Sequence, residues 1–210
     1  MPTALAIALA ALTVAACTGQ PSEPSPTAAR PVATSSARAT APPSQVPSDT
    51  PTPAHTSGAD QDVSTPPGRP AALDGPATEE NAKAVGRYYL SLFPYAVATG
   101  DLSQWDALSG EGCRYCDHLR AIVTDIHDAG NHGTGGAYEL GFTSGLKDED
   151  GHFIVGIEYV ETPSRTVAAD GTLVEDFPDR YTMKAVLELS WSGSSWTIEH
   201  GKATEFGDGE

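Results

Sequence analysis

The aromatic residues of this chain are confined to its C-terminal part, and this limits where a folded core can form. All five Phe, three Trp and seven Tyr residues lie between Tyr88 and Phe206. Residues 18–76 have no aromatic side chain but 13 of the 17 prolines. Such a segment buries too little apolar surface to offset the entropy lost on ordering. We therefore expect residues 17–76 to form a disordered Pro/Ser/Thr-rich linker and residues 77–210 to form one globular domain.

The chain begins with an apolar segment that is too short to span a membrane. The uncharged run from Ala4 to Ala16 has the length of the apolar core of a signal peptide. It ends in Val14-Ala15-Ala16-Cys17, which resembles the bacterial lipobox. That resemblance implies a signal peptide over residues 1–16 and a lipidated Cys17 that anchors the protein on the extracytoplasmic face of the cell membrane. The alternative is an ordinary secretory signal in which the cysteine has no special role.

The charge of the chain excludes one class of partner. The sequence has 12 Lys and Arg against 28 Asp and Glu, a formal net charge of −16. A strongly acidic protein is repelled by phosphate backbones, so we expect no nucleic-acid partner. No glycine-rich phosphate loop or dinucleotide fingerprint appears, and no cofactor is predicted.

Three helices are predicted at the start of the domain. Thr78 is a suitable N-cap for a first helix that ends by Gly100, with Pro94 as a kink or stop. Asp101 caps a short second helix, and a third runs from about residue 117 to 129. The apolar face of the first helix is formed by Val85, Tyr88, Tyr89, Leu92 and Phe93.

The apolar period changes to two after Gly136, which is typical of strands. Strands are predicted over residues 138–146, 153–160 and 181–191 and from Trp196 onwards, and residues 130–136 are interpreted as a flexible connection. Asp150-Gly151 and Asp170-Gly171 are hairpin turn signals. The fold class is therefore α+β, with three N-terminal helices packed on a four- to five-stranded antiparallel sheet.

Two resemblances extend this interpretation. The element order and the closing hairpin Trp191-Ser192-Gly193-Ser194-Ser195-Trp196 resemble the cone-like nuclear-transport-factor-2-like superfamily, whose cavity often holds a small molecule. Uncharacterised actinobacterial lipoproteins are similar in having a lipobox, a Pro/Ser/Thr tract and a set of short motifs. Those motifs are present here as Tyr88-Tyr89, Ala98-Thr99-Gly100-Asp101, Leu108-Ser109-Gly110 and Cys113-Arg114-Tyr115-Cys116. This second resemblance implies location and architecture, but no activity.

Cys113 and Cys116 are the two cysteines outside the lipobox, and we expect a disulfide because exported proteins meet oxidising conditions. The bond is either a structural staple or a redox-active pair, since the start of a helix lowers the pKa of a thiol. Zinc bound by Cys113, Cys116 and His118 lacks a fourth ligand, and His127 lies on the opposite helix face from His118. No metal site is predicted.

Aromatic side chains give the remaining functional hypothesis. Six of them either line a ligand pocket or pack as ordinary core: Tyr88, Tyr89, Trp105, Tyr138, Tyr159 and Trp191. No catalytic residue is predicted, because Ser109 lacks a nucleophile elbow and 23 carboxylates in the domain make chance pairs inevitable. We expect a membrane-anchored envelope lipoprotein with a non-catalytic domain that binds a small envelope ligand or a protein partner. The alternative is a thiol-disulfide oxidoreductase that uses Cys113 and Cys116.

Overall fold

A computed structural model describes residues 58–206, which contain three α-helices and seven β-strands. The predicted signal peptide, Cys17 and linker residues up to 57 lie outside the described residues. Within residues 58–206, no helix has the length and apolar character needed to cross a bilayer. The elements are α1 (Glu79–Thr99), α2 (Ser103–Leu108), α3 (Arg114–Asp128), β1 (Asn131–Gly135), β2 (Tyr138–Lys147), β3 (Phe153–Glu161), β4 (Ser164–Ala168), β5 (Leu173–Phe177), β6 (Tyr181–Trp191) and β7 (Trp196–Glu205).

The α+β class is confirmed, but the prediction of one sheet is wrong. The strands form two antiparallel sheets, one of four strands in the order β2-β3-β6-β7 and one of three strands in the order β1-β4-β5. Residues 131–135, which were predicted to be part of a flexible connection, are β1. Their sequence Asn-His-Gly-Thr-Gly has no apolar alternation, so pairing with β4 defines this strand. Gly135 and Gly136 have φ values of 68° and 71°, which let the chain turn from one sheet into the other.

The ends of α1 follow from local capping. Thr78 Oγ1 accepts a hydrogen bond from Asn81 N–H (3.2 Å), and Glu79 and Glu80 lie favourably in the first turn. Gly100 ends the helix in the left-handed conformation and donates its N–H to Ala96 O (2.7 Å). Pro94 lies inside the helix, which continues to Thr99.

Side chains also bind the first N–H groups of the next two helices, although the N-cap residue of α2 is Leu102 and not the predicted Asp101. Asp101 Oδ1 accepts a hydrogen bond from Ser103 N–H (2.9 Å) at the start of α2. Cys113 Sγ accepts one from Cys116 N–H (3.3 Å), and α3 therefore begins at Arg114 rather than near residue 117.

The core lies between α1 and the inward face of the four-stranded sheet. Gly86 permits close packing, since a Cβ at that position would lie 3.2 Å from Val155 Cγ1 and 3.4 Å from Ile157 Cδ1. The largest fully buried side chains are Trp105, Trp196, Tyr89, Phe153, Leu90 and Ile157.

The packed region begins earlier than the predicted domain boundary at residue 77. Ala59 and Leu73 are buried, and residues 71–74 form a 3₁₀ turn. Trp196 Nε1–H donates a hydrogen bond to Ala72 O (2.9 Å). Part of residues 58–76, which were predicted to belong to the linker, therefore packs on the domain through Ala59, Ala72 and Leu73, although the segment has no aromatic residue of its own.

Candidate ligand-binding cleft

Glu161 is the last residue of a row of side chains that face the core. Along β3 the odd-numbered residues Phe153, Val155, Ile157 and Tyr159 are at most 3% exposed, whereas the residues between them are half-buried. Side chains of a strand alternate between the two faces of its sheet. Glu161 continues the inward row at the end of β3, directly opposite Tyr138 of β2. Glu161 thus places a carboxylate in a row whose other residues are all apolar or aromatic.

The Glu161 side chain lines a cleft of about 420 Å³. The cleft lies between the C-terminal half of α1, α3 and the three-stranded sheet. Its walls are mainly apolar. The large apolar and aromatic residues of the walls are Phe93, Val97, Ile122, Ile126, Tyr138 and Phe177.

One side of the cleft depends on close contact between α1 and β1. A Cβ on Gly133 would lie only 2.4 Å from Val97 Cγ1, a distance that real Cβ atoms do not adopt. Glycine at this position therefore lets the three-stranded sheet approach the helix. Both Gly133 and Val97 line the cleft.

The charged residues of the cleft are mostly acidic. Asp125, Glu161 and Glu175 line it, together with one cation, Arg165. The Arg165 guanidinium already binds Asp176 Oδ1 (3.2 Å) and Asp60 Oδ1 (3.3 Å). Among the described residues, no Lys, Arg or His nitrogen lies within 4.0 Å of the three lining carboxylates. The cleft is therefore electronegative.

Burial controls the ionisation of the groups at this end of β3. It raises the pKa of Glu161 above its usual value, because the ionised carboxylate loses solvation. Burial, with a smaller effect of the nearby Glu161 charge, raises the pKa of Tyr159 to about 12. The same two causes raise the pKa of Tyr138. The environment of Glu161 thus favours either the protonated carboxyl or a carboxylate with a positive charge beside it.

Of the six aromatic residues proposed for a pocket, one lines this cleft and the other five pack in or against the core. Tyr89 and Trp105 stack with their ring centroids 4.0 Å apart, and both are buried, as are Tyr88 and Tyr159. Trp191 packs beside Trp196 at 5.2 Å, at the edge of the core. Tyr138 alone of the six lines the cleft.

Three residues of the cleft, Glu161, Arg165 and Phe177, were not predicted as site residues from the sequence. Glu161 could have been found, since it falls in phase with Val155, Ile157 and Tyr159 in a period of two. Arg165 and Phe177 belong to β4 and β5, whose pairing into a separate sheet has no comparable signal.

The predicted disulfide between Cys113 and Cys116 is present. Both cysteines are 0% exposed. The surrounding loop is held to β7 and α2 by hydrogen bonds from Gly110 N–H to Ile198 O (2.9 Å) and from Trp105 Nε1–H to Cys116 O (3.3 Å). These contacts place the bond within the packed core, away from the lining of the cleft.

Histidines near α3 do not converge on a site. His118 is exposed, and His127 Nε2 lies 3.0 Å from Val97 O. Within residues 58–206, no group of three or more His, Cys, Asp and Glu side chains is arranged to hold a metal ion.

Comparison with solved structures finds several chains of low sequence identity. The intermembrane space region of the chloroplast protein ARC6 matches 61% of this chain and 98% of its own, at 15% identity and a TM-score of 0.49. An uncharacterised Caulobacter vibrioides protein with a cystatin-like fold matches 61% and 92%, at 13% identity and 0.41. ActVI-ORFA from Streptomyces coelicolor matches 61% and 98%, at 13% identity and 0.40. These values are too low to indicate a function.

Comparison with protein sequences gives a clearer result. No curated protein matches the chain. One family model matches residues 49–202, which is more than half of the 210 residues and includes α1, α2, α3 and most of both sheets. The chain therefore belongs to DUF6318, a family of unknown function.

Proposed function

We propose that this protein is a cell-envelope lipoprotein, anchored in the membrane through Cys17 on the extracytoplasmic face, whose domain binds a small ligand without catalysis. The observation that carries the binding function is the cleft of about 420 Å³ with apolar walls and Glu161 inside it. Small-molecule sites are typically concave, about 300–1,000 Å³ in volume, and largely apolar with a few polar groups. The cleft has each of these properties.

The arrangement of elements supports a cone-like fold of the nuclear-transport-factor-2-like type as part of this proposal. The long α1 packs on the inward face of the four-stranded antiparallel sheet. The cleft lies where α1 and β3 both end. A cavity between the helices and the sheet is the position that this fold offers to a ligand.

The lining of the cleft favours binding over covalent catalysis through a Cys or His side chain. It combines apolar walls with a carboxyl group, which suits recognition of a ligand. Covalent catalysis needs a nucleophile activated by an adjacent base. Among the described lining residues there is no Cys or His to form such a pair.

The alternative oxidoreductase function receives less support. Thiol-disulfide exchange requires a thiolate to reach one sulfur of the bond. Cys113 and Cys116 are completely buried, and Cys113 Sγ also caps α3. These contacts favour a structural staple.

The binding function is tested by filling the cleft. Thr166 lines it from β4, on the same face of the sheet as Gly133, and Thr166→Trp places an indole in its volume. The matched control is Thr204→Trp, an exposed position on β7 outside the cleft. With the full-length protein and the neutral dye Nile red, we expect dye fluorescence to increase with the unsubstituted protein and the control, and at least about tenfold weaker binding to the Thr166→Trp variant. Equal binding to both variants would refute the cleft as the binding site.

The lipid anchor has a separate test. In cells fed an alkyne-labelled fatty acid, the protein should incorporate label and fractionate with the membrane. Cys17→Ala should abolish both, because the sulfur that carries the diacylglycerol is lost. Unchanged labelling of the variant would contradict the proposed anchor.

A further inference from the structure

We infer that the cleft recognises a small hydrophobic organic cation, with Glu161 as the anion that pairs with it. This inference rests on the proposed function, because it names the class of ligand for the same cleft.

The position of Glu161 places its carboxyl among aromatic rings. Tyr138 lies directly opposite Glu161 across the β2–β3 pair, and the Tyr138 ring centroid is 4.6 Å from that of Tyr159. Phe93 of α1 also lines the cleft, with its ring centroid 6.1 Å from that of Tyr138. The face of an aromatic ring attracts a cation within about 6 Å of its centroid. A carboxylate next to such rings is a suitable combination for an organic cation.

The charges of the cleft favour a cation rather than a neutral or anionic ligand. A carboxylate withdrawn from water is costly unless an opposite charge lies beside it. Within residues 58–206, no Lys or Arg nitrogen lies within 4.0 Å of the Glu161 carboxylate, and Arg165 is bound by Asp60 and Asp176. A positively charged ligand would supply the missing counter-ion. The net charge of −16 on the chain also attracts cations towards the protein.

The walls of the cleft favour an organic cation over a metal ion. Val97, Ile122 and Ile126 provide aliphatic surface that a bare metal ion cannot use. Metal ions in proteins are held by several oxygen, nitrogen or sulfur ligands. In the part of the chain that the structure describes, no three acidic, His or Cys side chains converge for that purpose. A ligand with an apolar body and one positive charge fits both features.

The test compares two probes of the same shape and different charge. Phenyltrimethylammonium and tert-butylbenzene are isosteric, but only the first is a cation. Each is titrated against the full-length protein at pH 8, with displacement of Nile red as the signal. We expect the cation to displace the dye at a concentration at least about tenfold lower than the neutral probe does.

Two variants identify the group responsible. Glu161→Gln removes the charge and keeps the shape, and it should reduce the preference for the cation by about tenfold. Glu158→Gln removes a carboxylate from the other face of the same strand, and it should leave the preference unchanged. The comparison of the two probes on the unsubstituted protein needs no variant, so the inference can be tested even if Glu161→Gln does not fold.

The outcomes separate this inference from the proposed function. If the neutral probe displaces the dye as well as the cation does, and the Thr166→Trp variant still binds the dye more weakly, the cleft binds ligands but the cationic class is wrong. If the cation is preferred equally by the Glu161→Gln variant, Glu161 is not its partner and the inference is overturned. If neither probe displaces the dye and the Thr166→Trp variant binds it normally, both the inference and the proposed function fail.

Discussion

At the scale of single residues, Glu161 shows how a regular pattern and its exception determine a site. The alternation of β3 can be read from the sequence, and it places Glu161 in the same row as the buried Ile157 and Tyr159. The surroundings of the Glu161 carboxyl cannot be predicted from β3 alone, because they are formed by helices α1 and α3 and by the three-stranded sheet. The pKa of Glu161 is raised because the folded chain withdraws the group from water.

The raised pKa predicts how stability depends on pH. A carboxyl whose pKa is higher in the folded state contributes stability that is fully present below its unfolded pKa, about 4.3, and is lost as the pH rises through the folded pKa. We therefore expect the free energy of unfolding of the protein, relative to that of the Glu161→Gln variant, to decrease between about pH 4 and pH 7.

Urea unfolding of both proteins across this pH range measures the effect, and Glu158→Gln corrects for the general loss of one negative charge. The other charged or titratable groups of the cleft, which both proteins share, are Asp125, Tyr138, Arg165 and Glu175. A relative stability that increases with pH would show that Glu161 is stabilised as a carboxylate in the folded protein.

At the scale of elements, the sequence predicted the long helix and the strands with strong alternation, but not the second sheet. Thr78 and Gly100 act as caps in α1, and the alternation of Met183, Ala185, Leu187 and Leu189 is that of β6. In contrast, β1 consists of small and polar residues, and its conformation depends on pairing with β4, about thirty residues away in sequence. The three-stranded sheet, and with it one wall of the cleft, could not be predicted from local periodicity.

The packing of β1 on α1 predicts a sharp steric requirement at Gly133. In a Gly133→Val variant, the new side chain would meet Val97, whose Cγ1 lies 2.4 Å from the position of a Cβ. We expect a loss of about 1–3 kcal/mol in the free energy of unfolding, measured by urea denaturation, together with weaker dye binding in the cleft.

Gly68→Val is the matched control, since nothing lies within 4 Å of a Cβ at that position. Equal stability of the Gly133→Val and Gly68→Val variants would mean that β1 does not pack against α1 as described.

At the scale of the whole molecule, the distribution of aromatic residues predicted a folded C-terminal region. In the structure, packed residues begin before residue 77, the predicted start of this region. The segment from residue 58 to 76 has no aromatic residue, but Ala59 and Leu73 are buried and Ala72 O binds Trp196. Composition predicts whether a segment can form a core of its own. It does not predict whether the segment can add to a core that the rest of the chain has formed.

The candidate site also depends on tertiary packing that composition does not predict. Its individual residues are ordinary in the sequence, since Glu161 is one of 28 acidic residues and Ile122 and Phe93 are part of common helical patterns. They become a cleft only because two helices and two sheets meet around them. The predicted aromatic pocket was assembled from residue type without this tertiary information, and Tyr138 is its one member in the cleft.

The central claim, that the cleft is the ligand site, is tested most directly by methyl NMR of the full-length protein during titration with phenyltrimethylammonium. We expect saturable chemical-shift changes at Val97, Ile122 and Ile126, which line the cleft, and little change at the exposed Leu146 and Val186. Changes centred on Leu146 and Val186, with the cleft methyl groups unmoved, would place binding on the outer surface of the sheet and contradict the account.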